Sequence, residues 1–363
     1  MSKPHRFLAA LLLALALPTA TAAPTATEPL PALNVDITQS SISGISSGGF
    51  MSVQFQVAHS EIIRGAGVIA AGPYYCAQGS AMRATTQCSC TLDPTREVCA
   101  VGPESTDIAA LVDATKRFAA DKLIDDPNAM QRHRVFMVSG GRDKTVPADV
   151  VQQLDAFYRR FIPPKNIVRK ELADAGHALP TASFGSACAV TGSPYINNCG
   201  VDAAGEILSW IYGPLKPRQD KLSGRLIRFD QTPFVPANKF RWLTGIDDTG
   251  WAYVPAACAR GEACRVHVAL HGCKQGQSYL PLKPPPDGGL YYGTIFVRHS
   301  GYNEAADANH IIVLYPQVDS IPGLNPNGCW DWWGYTDSHY ADRRGVQIST
   351  IRAMLDKLSS GRR

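Results

Sequence analysis

Residues 44–48 of the chain read Gly-Ile-Ser-Ser-Gly, which is a G-x-S-x-G pattern. This pattern is typical of a sharp strand-to-helix turn that lifts a serine hydroxyl above a sheet, because its small residues permit the turn. β-Branched residues over 37–43 predict a strand before the turn, and apolar residues at helical spacing over 50–59 predict a helix after it. Ser46 is therefore a candidate nucleophile, although five common loop residues have low specificity on their own.

The N-terminus has the pattern of a secretory signal peptide. Lys3 and Arg6 precede an apolar run over residues 7–17, which small residues follow. A membrane anchor is the alternative, but a helix that spans a bilayer needs about 20 apolar residues. We therefore predict a signal peptide over residues 1–22, cleaved after Ala22, and secretion to the periplasm or the medium.

Composition and charge narrow the classes of function. The chain has 45% hydrophobic and 18% charged residues, as expected for a globular protein with a large core. The full chain has 35 basic and 31 acidic side chains, and removal of residues 1–22 leaves 33 basic ones. This near balance gives no reason to expect a nucleic-acid or membrane partner, and it does not indicate an oligomeric state.

Ten cysteines in an exported chain predict five disulfides, because export delivers thiols to an oxidising compartment. Short separation in sequence predicts the pairs Cys188–Cys199 and Cys258–Cys264. Cys273 and Cys329 are then left over and are expected to pair as Cys273–Cys329. The four cysteines between residues 76 and 99 allow three connectivities. Zinc is the alternative for Cys88 and Cys90, but their one-residue gap is too short for the usual ligand spacing, so no metal is expected.

Strand and helix patterns alternate along the chain, which predicts an α/β fold with a mostly parallel sheet covered by helices. The expected strands cover residues 67–71, 134–139, 167–172, 265–270 and 311–315. The expected helices cover residues 107–119, 147–161, 203–212 and 346–358. Residues 214–224 are rich in Pro, Lys and Arg and resemble a linker, so one domain and two domains are both open at this point.

Two loop residues complete a catalytic set with Ser46. Asp143 follows the expected strand 134–139, and His177 follows the expected strand 167–172. A serine nucleophile needs a base and an acid that fixes the tautomer of that base, and the order Ser, Asp, His is that of α/β-hydrolases. The alternative for Asp143 is that it only accepts backbone hydrogen bonds at the start of the next helix.

A candidate oxyanion loop lies late in the chain. His271-Gly272-Cys273 follows the expected strand 265–270 and matches an HG-type loop whose backbone N–H groups stabilise an oxyanion. In ordinary α/β-hydrolases this loop precedes the nucleophile, whereas here it follows Ser46 by about 225 residues. A circular permutation of the sheet explains this order. Residues 214–224 are then an internal crossing, and residues 23–363 form a single catalytic domain.

Together these motifs resemble the single-domain polyhydroxybutyrate (PHB) depolymerases, which are esterases of the circularly permuted α/β-hydrolase type. The resemblance extends from about residue 34 to residue 337. The blocks that carry it are Gly44-Ile45-Ser46-Ser47-Gly48-Gly49, Ser139-Gly140-Gly141-Arg142-Asp143, Gly176-His177, Leu270-His271-Gly272-Cys273, Gly301-Tyr302-Asn303 with Ala306-Asp307, Leu314-Tyr315-Pro316-Gln317 and Gly328-Cys329-Trp330-Asp331-Trp332.

The resemblance implies a role for each candidate residue. Ser46 would be the nucleophile, His177 the general base and then the general acid, and Asp143 the orienting carboxylate. The N–H groups of Ser47 and Cys273 would form the oxyanion hole, and a Cys273–Cys329 disulfide would hold that loop. The substrate would be a polyester or oligoester, and no cofactor is required.

Aromatic residues cluster near the end of the resemblance. Trp330, Trp332, Trp333 and Tyr335 occupy four of six positions, too many to bury on one strand face. Flat rings contact an apolar polyester over a large area, so the cluster predicts a substrate platform, with Trp330 the best candidate by resemblance. The alternative is that two or three of these rings are core.

Rival functions remain open at the level of sequence. Secreted feruloyl-type esterases and poly(aspartate) hydrolases share the scaffold, although a polyanionic substrate would favour a basic cleft. A binding protein that keeps the fold without catalysis is the alternative from another class. We also expect no separate polymer-adsorption domain after residues 346–358. We therefore expect either activity on amorphous or short-chain material, or adsorption through exposed aromatic residues of the catalytic domain itself.

Overall fold

The computed structural model describes residues 26–92, 99–286 and 289–362. The predicted signal peptide over residues 1–22 lies outside these ranges. None of the helices within them combines the length and the apolar character needed to cross a bilayer.

The described residues contain eleven strands. They are β1 (Ser40–Ile45), β2 (Ile63–Ile69), β3 (Arg134–Gly140), β4 (Ile167–Leu172), β5 (Leu179–Thr181), β6 (Ser186–Ala187), β7 (Ile196–Asn198), β8 (Arg225–Asp230), β9 (Thr249–Val254), β10 (Arg265–Leu270) and β11 (Ile311–Tyr315). Eight form a central sheet in the order β4-β3-β2-β1-β10-β11-β9-β8, in which β9 alone runs opposite to the other seven strands. The other three form a small sheet in the order β5-β7-β6.

The same residues contain nine α-helices, which flank the central sheet. They are α1 (Ser47–Ala58), α2 (Ala81–Thr86), α3 (Ile108–Ala120), α4 (Ala148–Tyr158), α5 (Ala203–Tyr212), α6 (Ala256–Ala259), α7 (Ile295–His299), α8 (Tyr302–Ala306) and α9 (Val346–Ser359). Short 3-10 helices cover Ile37–Gln39, Pro127–Arg132, Pro164–Asn166, Thr232–Phe234, Arg241–Leu243 and Asp307–Asn309.

The sheet order confirms the predicted circular permutation. The eight strands of the central sheet can be renumbered 1 to 8, first from β8 to β11 and then from β1 to β4. Their order across the sheet is then 1-2-4-3-5-6-7-8. The oxyanion loop of α/β-hydrolases follows strand 3 of that numbering, and residues 271–273 do follow β10. Residues 214–224 connect α5 to β8 of the same sheet, so they are an internal crossing.

The central strand β1 is polar for a strand that is buried along its whole length, since it reads Ser-Ser-Ile-Ser-Gly-Ile. His267 on the neighbouring strand β10 provides hydrogen-bond partners for two of the three serines of β1. The Oγ of Ser41 lies 2.6 Å from Nδ1 of His267, and the Oγ of Ser43 lies 2.7 Å from Nε2. Because buried hydroxyls need hydrogen-bond partners, this histidine allows a polar strand to occupy the centre of the sheet.

Most predicted elements are confirmed, and four are confirmed to the residue: β4, β10, β11 and α5. The strand predicted over 37–43 is wrong in its first part, where Ile37–Gln39 form a 3-10 helix and β1 begins only at Ser40. Asp36 causes this difference, because its carboxylate accepts the N–H of Thr38 at 3.0 Å and so caps the turn.

All ten cysteines are paired. The three predicted disulfides, Cys188–Cys199, Cys258–Cys264 and Cys273–Cys329, are confirmed. The connectivity left open between residues 76 and 99 is Cys76–Cys88 and Cys90–Cys99. Cys88 and Cys90, considered above as zinc ligands, are therefore both in disulfides.

The fit of β2 against β3 gives a first testable prediction. A Cβ added at Gly65 would lie 2.1 Å from the backbone oxygen of Arg134, so Gly65→Ala forces the two strands apart. Overpacking of this kind costs about 1–3 kcal/mol, which lowers the midpoint of thermal unfolding by several degrees.

Gly102→Ala is the matched control, because a Cβ at Gly102 meets no atom within 4 Å. We expect the control to unfold within about a degree of the parent protein. Equal midpoints for the two variants, measured by circular dichroism, would contradict the close packing at Gly65.

Buried histidines predict a loss of stability in acid. Burial lowers the pKa of His59 and His267 to about 3 and that of His133 and His271 to about 4. In the unfolded chain the same groups titrate near pH 6.5. Between about pH 6.5 and pH 4 the unfolded chain thus binds protons that the folded protein does not, and the free energy of unfolding falls by about 1.4 kcal/mol per pH unit for each histidine.

Urea unfolding at pH 7, 6 and 5 measures this slope. His133→Gln removes one titrating group and should reduce the slope by about one proton. The same slope in the parent protein and the variant would show that His133 is protonated in the folded state.

Candidate active site

Ser46 occupies the turn between β1 and α1 in a strained backbone conformation, with φ 55° and ψ −123°. A positive φ is uncommon for any residue except glycine and costs about 1–3 kcal/mol. Tight packing enforces it, because a Cβ at Gly44 would lie 2.3 Å from the backbone oxygen of Gly48. The turn therefore has the sharp geometry that the sequence motif predicts.

Asp143 and His177 are in direct contact. Nδ1 of His177 lies 2.7 Å from Oδ2 of Asp143, and both side chains are buried. Because a carboxylate accepts and does not donate, Nδ1 carries the hydrogen and Nε2 remains free to accept a proton. Oδ1 of Asp143 also accepts the N–H groups of Thr145 and Val146, each at 2.8 Å. Asp143 thus both orients the histidine and caps the following loop.

The loop of His177 is held by the segment that connects β6 to β7 of the small sheet. The backbone N–H of His177 donates to Oγ1 of Thr191 at 2.9 Å. A Cβ at Gly176 would lie 2.7 Å from the backbone oxygens of Ala189 and Val190, so the loop packs closely against this segment. The Cys188–Cys199 disulfide closes the same segment. The histidine is therefore presented by a braced loop.

Ser46 and His177 line one cavity of about 420 Å³. Gly272 and Cys273 form another part of its wall. A Cβ at Gly272 would lie 3.4 Å from Cβ of Ser46, which shows how closely this loop approaches the serine. The structure thus brings together the serine, the histidine with its aspartate, and the late HG loop.

Two backbone amides are available near Ser46: that of Ser47, the next residue in the chain, and that of Cys273, which lines the cavity. Ser47 is the first residue of α1, so its N–H has no acceptor within the helix. The N–H of Cys273 makes no hydrogen bond to any of the residues that the structure describes. Free N–H groups beside a nucleophile are what an oxyanion hole requires.

The aromatic cluster divides between the cavity and the core. Trp332 and Trp333 line the cavity, and Trp332 stacks on Phe50 with ring centroids 3.9 Å apart. Trp330 is fully buried and packs against the ring of His271. The expectation that Trp330 is the best placed ring for substrate contact is therefore wrong, because its ring points into the core.

Asp331 explains why adjacent rings separate in this way. Its carboxylate accepts the N–H groups of Trp333, Gly334, Tyr335 and Thr336, at 2.7 to 3.3 Å. The segment is thus folded into a tight turn around a buried carboxylate, and strand alternation does not apply to it. Burial raises the pKa of Asp331, against the opposing effect of these hydrogen bonds.

Sequence reasoning missed Gln275, which supports the oxyanion loop. Its Oε1 accepts the Gly272 N–H at 2.7 Å, and its Nε2 donates to the backbone oxygens of Pro194 and Tyr195 at 3.0 and 3.2 Å. The available signal was its position, two residues after the His-Gly-Cys motif. Phe50, which stacks under Trp332, was considered only as a helix residue.

The mostly parallel sheet, the strained serine turn and the contact between Asp143 and His177 define the chain as a circularly permuted α/β-hydrolase. A poly(3-hydroxybutyrate) depolymerase from Delftia acidovorans is 39% identical to it over 337 residues, which are 92% of this chain and 62% of that protein. A polyhydroxybutyrate depolymerase from Talaromyces funiculosus is 36% identical over 358 residues, which are 94% of this chain and 95% of that protein. No protein-family model matches the chain.

Solved structures agree with these relatives. The crystal structure of a PHB depolymerase from Penicillium funiculosum has a TM-score of 0.79 and 34% identity, and the match covers 93% of this chain and 100% of that one. A serine-to-alanine variant of PHB depolymerase complexed with an R3HB trimer gives the same values. The chain belongs to the PHB depolymerase family, which consists of serine ester hydrolases. It spans about 62% of the length of the Delftia relative and nearly all of the Talaromyces one.

The Asp143–His177 contact gives the next prediction. In Asp143→Asn, Oδ1 can still accept the N–H groups of Thr145 and Val146, but an NH₂ group faces Nδ1 of His177. This stabilises the tautomer in which Nε2 carries the hydrogen and cannot take a proton. We expect kcat for a soluble p-nitrophenyl ester to fall about 10⁴-fold with the fold retained.

Asp174→Asn is the matched control. Asp174 is exposed, three residues before His177, and pairs with Arg142 at the surface. We expect its kcat to equal that of the parent protein. A kcat in Asp143→Asn above about a tenth of the parent value would contradict the orienting role.

Proposed function

We propose that this chain hydrolyses the ester bonds of poly(3-hydroxybutyrate) or related short-chain polyhydroxyalkanoates through an acyl-enzyme on Ser46. The observation that carries the proposal is one cavity lined by Ser46, by the Asp143-bound His177 and by the Gly272–Cys273 loop. Membership of the PHB depolymerase family supplies the substrate class.

The first half of the reaction forms the acyl-enzyme. Nε2 of His177 takes the proton of the Ser46 hydroxyl while its Oγ bonds to the ester carbonyl carbon. The carbonyl oxygen becomes negatively charged and accepts hydrogen bonds from the N–H groups of Ser47 and Cys273. The C–O ester bond then breaks, and the leaving alkoxide receives the proton from His177 and departs as an alcohol.

The second half releases the acid. His177 takes a proton from water, the resulting hydroxide attacks the acyl carbon, and the bond to Ser46 breaks as its Oγ regains the proton. Asp143 stays hydrogen-bonded to Nδ1 throughout and stabilises the imidazolium. The reaction needs no cofactor, since proton transfers and the oxyanion donors supply all the chemistry.

The walls of the cavity suit a methyl-bearing polyester. Trp332 and Trp333 offer flat apolar surfaces next to the serine. A PHB depolymerase at 34% identity was solved with an R3HB trimer, which is a short oligoester of this chemistry. We propose that oligomeric or amorphous chains enter along these rings.

The same cavity disfavours poly(aspartate). Among its described lining residues Lys274 is the one lysine, and none is arginine. A polyanion would require more positive charge to offset its own. A feruloyl-type ester is the remaining alternative substrate, and the relatives do not favour it.

Export and domain organisation belong to the proposal as well. Five disulfides fit an oxidising compartment, in accord with a signal peptide over residues 1–22. We propose that the protein is secreted and that residues 23–363 act as one catalytic domain. The hydrophobic core, which runs from Leu30 to Leu358, supports a single unit.

Replacement of the nucleophile tests the catalytic part of the proposal. Ser46→Ala should show no measurable clearing of a polyhydroxybutyrate suspension and no labelling by a fluorophosphonate. Ser209→Ala, at an exposed serine of α5, is the control and should react as the parent protein does. Labelling of the Ser46→Ala protein at the parent rate would overturn the assignment of the nucleophile.

A substrate panel tests the chemical class. We expect release of 3-hydroxybutyrate units from amorphous polymer to exceed release from feruloyl esters and poly(aspartate) by at least about tenfold. Faster release from a feruloyl ester would favour the alternative esterase. Failure of the parent protein to react with the fluorophosphonate would indicate a binding protein instead.

A further inference from the structure

We infer that His271 is a positioning residue for the oxyanion hole: it fixes the peptide plane between Gly272 and Cys273 so that the Cys273 N–H faces the serine. His271 does not line the cavity and is fully buried, so it acts through Gly272 and not on substrate. The inference rests on the proposed acyl transfer at Ser46.

Peptide geometry determines which way the Cys273 N–H points. In a trans peptide unit the C=O of one residue and the N–H of the next point in opposite directions within one plane. Nδ1 of His271 lies 2.7 Å from the backbone oxygen of Gly272. This bond holds the oxygen toward the buried ring, and the N–H of Cys273 is thereby turned the other way, toward the cavity that Gly272 and Cys273 line.

The tautomer of His271 makes this bond directional. The backbone N–H of Val318 lies 3.3 Å from Nε2, so Nε2 accepts. Burial lowers the pKa of His271 to about 4, and the ring is neutral near pH 7 with its one hydrogen on Nδ1. Nδ1 therefore donates to Gly272, and the aromatic rings of Phe296 and Trp330 pack around the imidazole.

The other side of Gly272 is fixed independently. Its N–H donates to Oε1 of Gln275, which is itself held by the backbone oxygens of Pro194 and Tyr195. Both peptide planes that flank Gly272 are thus constrained before substrate binds. Donors that are already oriented need no reorganisation as the oxyanion forms, which is where their contribution to rate arises.

Two variants of His271 separate the role of the donor Nδ1 from that of the acceptor Nε2. In His271→Asn the side-chain Nδ2 stands at the position of Nδ1, so the donor to Gly272 is kept and the acceptor for Val318 is lost. In His271→Gln the side-chain Oε1 stands at the position of Nε2, so the acceptor is kept and the donor is lost. The inference predicts that Asn retains most of the activity and that Gln does not.

The readouts distinguish positioning from general damage to the fold. For a soluble p-nitrophenyl ester, His271→Gln should lower kcat by about 10- to 100-fold with KM changed less than about threefold. Phenylboronic acid bonds to the serine oxygen and places a tetrahedral oxygen where the oxyanion forms. Its inhibition constant should rise by the same factor as kcat falls, because both depend on the oriented Cys273 N–H.

His133→Gln is the matched control for loss of a buried neutral histidine. His133 is not among the residues that line the cavity, and its ring nitrogens contact Gln56 and the backbone oxygen of Ser60. We expect it to lower the unfolding midpoint while kcat and phenylboronic acid affinity stay at the parent values. Should His271→Gln not fold, Gln275→Met, which removes the acceptor for the Gly272 N–H, provides a second route to the same loss of boronate affinity.

The outcomes separate this inference from the proposed function. If Ser46→Ala keeps its activity or its inhibition by phenylboronic acid, the proposed function fails. If Ser46→Ala behaves as expected but the His271 and Gln275 variants bind phenylboronic acid as the parent does, only the positioning role fails. Equal kcat in His271→Asn and His271→Gln would likewise overturn it.

Discussion

The contact between the first turn of α1 and the end of β10 is the constraint on which the site depends. A Cβ at Gly48 would lie 2.3 Å from the backbone oxygen of His271, so only glycine lets these two backbones approach so closely. The approach brings Ser46 beside Gly272 and Cys273, although these residues are far apart in sequence. Any side chain at residue 48 would push the helix, and the strained serine at its start, away from the amide donors.

The order of strands in space, and not along the chain, determines which loops meet. β1 pairs with β10 in parallel, and β3 lies two strands away on the other side. The carboxyl ends of these parallel strands share one edge of the sheet, where α/β folds place their sites. A permuted chain keeps this adjacency, since the former termini are joined and new ones open elsewhere. This explains how an oxyanion loop that comes last can serve a nucleophile that comes first.

Local chemistry decided what the sequence could predict. The Gly44–Gly48 turn, the order of Asp143 and His177, and β10 with its HG loop each have a signature within a few residues, and the fold follows from them. The pairing among four closely spaced cysteines does not, because any of three connectivities satisfies the same spacing. Strands β8 and β9 also went unpredicted. They pair with each other, but residues 231–248 lie between them, so no short turn marks them as a hairpin.

Trp330 and Trp332 serve the site from two different sides of the same short segment. Asp331 gathers the amides that follow it into a turn, so Trp330 and Trp332 point to different surroundings. Trp332 faces the cavity, while Trp330 packs on His271. A disulfide joins the neighbouring Cys329 to Cys273 of the oxyanion loop. One short segment therefore supplies a wall for the substrate and, from behind, support for the loop that carries an oxyanion donor. A ring excluded from substrate contact still acts on the site, because dense packing limits how far the imidazole beneath that loop can move.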